Sequence, residues 1–185
     1  MQRGLASSLW VFLGLLAASS ASSASVLRAL ALEELCQRAD RIVLGRVDKL
    51  ESRWTPDKTA IFTEVTITVE RSYKGGVGPG ETMIVRKEGG SVAGIGMRVF
   101  GAADFRVGEE AILFTEPRGK ARFVSGMTQG KLSLLRTDEG EDLVSSDAGG
   151  ATLLGKPDSR LLRAQPLADF ERQLVKIVDQ IGRQR

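Results

Sequence analysis

Residues 61–73 read Ile-Phe-Thr-Glu-Val-Thr-Ile-Thr-Val-Glu-Arg-Ser-Tyr. β-Branched and aromatic residues dominate, and Val65, Ile67 and Val69 alternate with Thr66, Thr68 and Glu70. A period of two places the two sets on opposite sides of a pleated strand. The pattern predicts a half-buried strand of an antiparallel sheet, with Phe62, Val65, Ile67 and Val69 on the core side.

Working towards the N-terminus, Thr55-Pro56-Asp57-Lys58 reads as a turn, with Pro fixing φ at its second position. Before it, Ile42-Val43-Leu44-Gly45-Arg46-Val47 is a strand that is apolar on both faces at its start, hence central, with weak alternation on to Trp54. Gly45 inside it marks a bulge or a bend. Leu32, Leu35, Cys36 and Ala39 recur at three- and four-residue steps, which predicts a short amphipathic helix within residues 30–39.

Towards the C-terminus, Lys74 to Gly80 is a loop by composition, and Met83 to Arg86 a third short strand. Residues 89–101 hold five glycines among apolar residues. They resemble a dinucleotide-binding GxGxxG only superficially, because Val99 stands where a third Gly would be needed. Further strands are predicted at 111–115, 121–125 and 131–136. Residues 137–165 are acidic, Gly- and Ser-rich, and read as a loop-rich appendage. Leu167, Phe170, Leu174, Ile177 and Ile181 line one face of a C-terminal amphipathic helix over 166–182. The pattern predicts a mainly β fold: a small five- to six-stranded OB-like barrel over residues 30–136, flanked by the two helices, with a β-sandwich as the alternative.

The first residues carry a different message. Arg3 precedes an apolar run from Leu9 to Ala18, and small residues follow from Ser19 to Ser25. Basic, apolar and small residues in that order form a secretory signal peptide over 1–24, with cleavage after Ala24 or Ala21. The run is too short for the roughly 20 residues of a membrane-spanning helix. The expected address is therefore outside the cytoplasm, in the periplasm or the medium, with no membrane attachment after cleavage. The mature chain of about 160 residues suits one domain.

Of the 185 residues one is Cys and none is His. That removes an internal disulfide, Ser-His-Asp and Cys-His catalysis, and His-based zinc sites. No cofactor or metal site is expected. The formal net charge of +3 is interspersed, with no basic stripe carrying aromatics, so nucleic acid is not an expected partner. Cys36 reads as a small core residue on a helix.

Three segments together resemble a known family: Ala39-Asp40 leading into Ile42–Val47; a long alternating strand ending in Tyr73-Lys74-Gly75; and Val107-Gly108-Glu109-Glu110-Ala111-Ile112-Leu113-Phe114. In this order they resemble the netrin-like OB domain of tissue inhibitors of metalloproteinases, and a group of bacterial exported proteins with the same pattern. The resemblance covers roughly residues 30–136 and implies the fold first. Inhibitors of that family chelate the protease zinc through a disulfide-linked N-terminal Cys. Cys36 has no partner Cys and follows Glu33 and Leu35, an implausible cleavage site, so no residue inherits that role.

Two functions follow as expectations. The first is a non-catalytic binding module that contacts a protein partner, a secreted protease being the class the resemblance implies. The candidate contact residues are Val92, Ile95, Met97, Val99 and Phe100, which either meet a partner or fold back to cap the barrel. The alternative is a carboxylate-dependent hydrolase or transferase drawing on Glu33-Glu34, Glu109-Glu110 or the acidic residues from Glu139 to Asp142. Paired carboxylates serve as acid and base only in a cleft that separates their pKa values. Charged residues in helix faces and turns are otherwise a solvated surface.

Overall fold

The computed structural model of the chain describes residues 26–146, 149 and 151–184. The expected signal peptide, residues 1–24, lies outside them. A short strand β1 (Val26–Arg28) and helix α1 (Leu32–Arg38) lead into the two long strands β2 (Arg41–Trp54) and β3 (Ile61–Lys74). Then come β4 (Thr82–Glu88), β5 (Gly90–Val92), β6 (Ile95–Met97), β7 (Glu110–Arg118) and β8 (Ala121–Val124). A 3-10 turn at Met127–Gly130 precedes β9 (Lys131–Arg136), β10 (Asp142–Ser146), β11 (Thr152–Leu154), α2 (Ser159–Leu162), β12 (Gln165–Pro166) and α3 (Leu167–Arg183).

The main sheet has eight strands, in the order β12-β10-β9-β7-β2-β3-β4, with β8 paired to β7 off this path. Ile61, Thr63, Val65, Ile67 and Val69 are buried on one side of β3, which is the alternation the sequence shows. Phe62 is the exception to the expected facing. It lies on the outer side, under the Arg86 guanidinium at 4.0 Å, because an even-numbered residue cannot share a pleat face with Val65. Thr63 takes the inward place, and its hydroxyl donates to the Gly89 carbonyl at 2.7 Å.

β2 pairs with β3 on one edge and β7 on the other, so it is central as its two-sided hydrophobicity predicts. Register shifts interrupt the β2–β3 ladder beside Gly45. A Cβ on Gly45 would stand 2.6 Å from Ile67 and 2.7 Å from the Thr68 carbonyl oxygen, so no other residue fits this close approach.

The sheet curls until β4 lies beside β8, but no ladder joins them and the hydrogen-bonded circuit stays open. The cause is visible on β7. Its outer edge is shared, with Ala111–Leu113 pairing to β9 and Thr115–Arg118 pairing to β8. β8 turns towards β4, while β9, β10 and β12 continue the sheet away from it. From the end of β7, Arg118 donates to Glu88 of β4 at 3.1 Å. The mainly β fold is as expected, but where the pattern predicts a five- or six-stranded OB-like barrel the described residues form an eight-stranded sheet that curls without closing. Among the described residues no second large sheet faces it as in a sandwich: the remaining strands form the two-stranded pairs β1–β11 and β5–β6.

Two cores use this sheet as a shared wall. Inside the curl, Val43 and Val47 meet Val65, Ile67, Val85, Leu113 and Val124. Behind it, Ile42, Leu44, Ile112 and Phe114 meet Leu32, Leu35 and Cys36 of α1 and Phe170, Leu174 and Ile177 of α3. Adjacent residues of one strand thus enter different cores, as period-two geometry requires.

Residues 137–165, expected to be loop-rich, supply β10, β11 and α2. They also complete α1. Ala31 at its N-cap offers no side-chain oxygen. Asp158, far along the chain, accepts the Leu32 N–H at 3.0 Å instead, while its other oxygen accepts the Arg160 N–H at 2.9 Å. One carboxylate therefore caps two helix starts. At the other end of α1, Lys74 donates to the carbonyls of Cys36 and Ala39 at 2.7 and 2.6 Å.

Candidate functional site

The glycine-rich segment 89–101 is a hairpin. β5 and β6 pair through Gly90↔Met97, Ser91↔Gly96 and Val92↔Ile95. The two residues between them, Ala93 and Gly94, have φ of +50° and +82°. Both positive, they make the mirror-image turn whose twist matches that of the flanking strands.

The root of this hairpin is fixed to the far end of the β2–β3 ribbon. Gly89 N–H donates to the Ile61 carbonyl at 2.8 Å. The hydroxyls of Ser52 and Thr63 are 2.9 Å apart, and Ser91 N–H donates to the Ser52 hydroxyl at 3.3 Å. The Ile61 N–H reaches the Met97 sulfur at 3.3 Å. Gly90 crosses directly over this pair of hydroxyls, and a Cβ there would fall 2.3 Å from the Thr63 hydroxyl oxygen and 2.4 Å from that of Ser52. Ser52 and Thr63 carry no functional signal in the sequence. Their role appears only once the ribbon brings together residues whose hydroxyls meet beneath a glycine.

Of the expected contact residues, Ile95 is 56% exposed and Val92, Met97, Val99 and Phe100 are half-buried. None is among the residues of either core. The Arg98 guanidinium lies 5.0 Å over the Phe100 ring. Between the hairpin and β4 opens a cleft of about 470 Å³, whose walls include Lys87, Glu88, Met97, Arg98, Val99 and Asp104. Three of its charges are in ion pairs, since Lys87 donates to Asp104 at 2.7 Å and Glu88 accepts from Arg118, while Arg98 lies over the Phe100 ring. The hydrogen bond from Lys87 holds the Asp104 carboxyl below its ordinary value, against the opposing effect of burial. The arrangement offers an apolar tip on a hydrogen-bonded base beside a slot rimmed by both signs of charge.

The acidic candidates are dispersed. Glu33 accepts two hydrogen bonds from Arg160 at 2.7 Å, Glu34 is paired with Arg28, and Glu109 lies 2.9 Å from the Lys131 ammonium. Asp142 accepts from Arg136 at 2.7 Å. The hydrogen bonds from arginine hold Glu33, Glu34 and Asp142 low, each carboxylate facing a guanidinium, with the one at Glu33 shared with Asp158. Cys36 is fully buried in the helix-side core, and burial pushes its thiol up to about 12. Among the described residues no group of three or more Cys, Asp or Glu converges to hold a metal ion, and no helix is long and apolar enough to cross a membrane.

Neither the family models nor the curated proteins compared with this chain give a match.

Proposed function

We propose that the protein is an exported, non-catalytic binding module that grips a protein partner with the β5–β6 hairpin. The observation that carries this reading is the combination of an exposed apolar tip at Ile95 with a root locked by hydrogen bonds to Ser52, Ile61 and Thr63. A pre-organised apolar projection loses little conformational entropy on binding, which is where a small interface gains its affinity. The curl of β2, β3, β4, β7 and β8 around one core supports an OB-like reading of the fold, and through it the resemblance to netrin-like domains. A secreted protease is the partner class that resemblance implies. The order of charge, apolar run and small residues before Ser25 supports export.

The test is a pull-down from the extracytoplasmic fraction with three baits: the unchanged protein, Ile95→Asp and Cys36→Ser. The expected result is a partner retained by the unchanged and Cys36→Ser baits and lost by Ile95→Asp. Loss in a folded Cys36→Ser with Ile95→Asp unaffected would overturn the hairpin reading and return the interest to the thiol. Recovery of the protein only from the cytoplasm, with Met1 intact, would overturn export.

A further inference from the structure

Helix α3 has an inner face buried in the helix-side core, carried by Leu167, Phe170, Leu174 and Ile177. Its outer face, with the end of β3, forms a groove of about 890 Å³ on the opposite side of α3 from that core. In the middle of that face stands Val175, 45% exposed among charged neighbours. The wall towards β3 is already satisfied, since Arg71 and Tyr73 both donate to Glu171. What remains is the apolar spot of Val175 beside Lys176, with Arg172 on one side, Asp179 on the other and Arg183 at the end of the helix.

Arg172 and Asp179 are seven residues apart, two turns of helix, and so lie almost on one line about 10 Å long. Arg172 has only an exposed contact with its helix neighbour Asp169, and pairs of that kind contribute little. Asp179 has no ion-pair partner among the described residues. A cation and an anion placed evenly about an apolar centre are their own complement. A two-fold axis between Val175 and Lys176 sets Arg172 of each copy opposite Asp179 of the other. It also lays the Lys176 stem of one copy over Val175 of the other, with the ammonium left in water. A partner of one charge sign would meet like charge at one of the two positions. A second copy meets opposite charge at both.

The geometry points to a homodimer of this chain in which α3 packs antiparallel against α3 of the second copy. The interface is isologous, so each pair occurs twice. A single helix pair buries less than a standard interface, so the dimer is a weak one that assembles at tens of micromolar, on the order of the lower affinities of specific association. This inference is independent of the hairpin.

Sedimentation velocity of the protein purified after expression of the full chain, from about 1 to 500 μM, is the test across that affinity range. The unchanged protein should pass from the mass of one chain to that of two as concentration rises. Asp179→Arg alone and Arg172→Asp alone should each weaken association about tenfold or more, because like charges then face each other twice. The combined exchange, Arg172→Asp with Asp179→Arg, should restore it. All these side chains are exposed, and far-UV circular dichroism checks that each variant keeps its fold. A single-chain mass at every concentration would overturn the proposal. So would single variants that associate like the unchanged protein, or a double exchange that stays apart.

Discussion

On β7, Leu113 and Phe114 are neighbours in sequence and enter different cores. The two cores differ in how their residues are recruited. The core inside the curl draws on strands between Val43 and Val124, nearly all of them hairpin neighbours whose alternation the sequence displays. The helix-side core gathers α1, the outward-turned residues of β2 and β7, Val144, Leu161 and α3 from across the whole described chain. It also depends on polar ties of long sequence separation: Asp158 to Leu32, Lys74 to Cys36 and Ala39, and the Gln129 side chain to the Leu30 N–H at 2.9 Å. One core is a product of strand pattern. The other is a product of closure between distant segments.

The strongest way to break that comparison is to hollow each core from the same strand. Phe114→Ala should cost about 3–5 kcal/mol and Leu113→Ala about 2–5 kcal/mol, since both side chains are fully buried. Because β2 and β7 are a wall common to both, each variant should lower one cooperative transition, with helix and sheet signals lost together in a urea titration. Separate transitions for the two signals, with Leu113→Ala moving only one of them, would show that the cores fold independently.

Register within the curl is the next point to press. Ile67 is fully buried, whereas Thr68 lies on the other side and donates to Asp48 at 2.6 Å. Ile67→Ala should cost about 2–5 kcal/mol, and Thr68→Ala under about 1 kcal/mol. Equal losses in denaturant would contradict the alternation.

These strands show what could be read in advance and what could not. The facing of Val65, Ile67 and Val69, the central place of β2 and the two amphipathic helices follow from spacing alone, because burial on one side of an element leaves a periodic trace. The open seam between β4 and β8 left none, since it depends on how β7 divides one edge between two neighbours. Residues 137–165 were opaque for another reason. Their contribution rests on Asp158 as a remote cap and on short strands such as Thr152–Leu154, whose apolar residues are too few to show a period. At the hairpin, Gly89 to Gly101 drew attention by composition. The hydroxyl pair of Ser52 and Thr63 that fixes it became visible only in three dimensions.

The polar closure of the helix-side core should respond to pH. Burial on its own would raise the Asp158 pKa, but the hydrogen bonds from Arg160 and the Leu32 N–H outweigh it and leave the carboxyl lowered from 3.8. Glu33 is lowered as well, chiefly by its hydrogen bonds from Arg160. A depressed folded-state pKa stabilises the fold above the ordinary carboxylate value, and that contribution is lost as pH falls through the folded value. Asp158→Ala should cost about 1–2 kcal/mol at pH 7, as the loss of a helix cap does. The difference between this variant and the unchanged protein should narrow as the pH is taken below 3.8. A difference that stays constant from pH 7 to pH 3 would show that Asp158 acts through packing and not through its charge and hydrogen bonds.

The smallest stability effect is expected at the hairpin, and it separates an exposed tip from two buried cores. Ile95 is over half exposed, forms no part of either core and sits one residue beyond a tight turn. Its cross-strand partner Val92 is only half-buried. Ile95→Asp should therefore change stability by less than about 0.5 kcal/mol, as exposed substitutions usually do. Met97 is the wrong residue for this experiment, because its sulfur accepts the Ile61 N–H at the hairpin root and its replacement would loosen the base as well as alter the tip. With the root intact, any loss of partner retention in Ile95→Asp belongs to the contact itself. Gly90→Ala is the complementary change. Its Cβ would collide with the Ser52 and Thr63 hydroxyls, so the tip keeps its composition while its base shifts. If pre-organisation matters, Gly90→Ala should weaken retention with Ile95 in place, and Ile95→Asp should abolish it with thermal stability unchanged. A hairpin variant with unaltered retention and a lowered melting temperature would mean the opposite: that the segment serves the fold and the partner is met elsewhere.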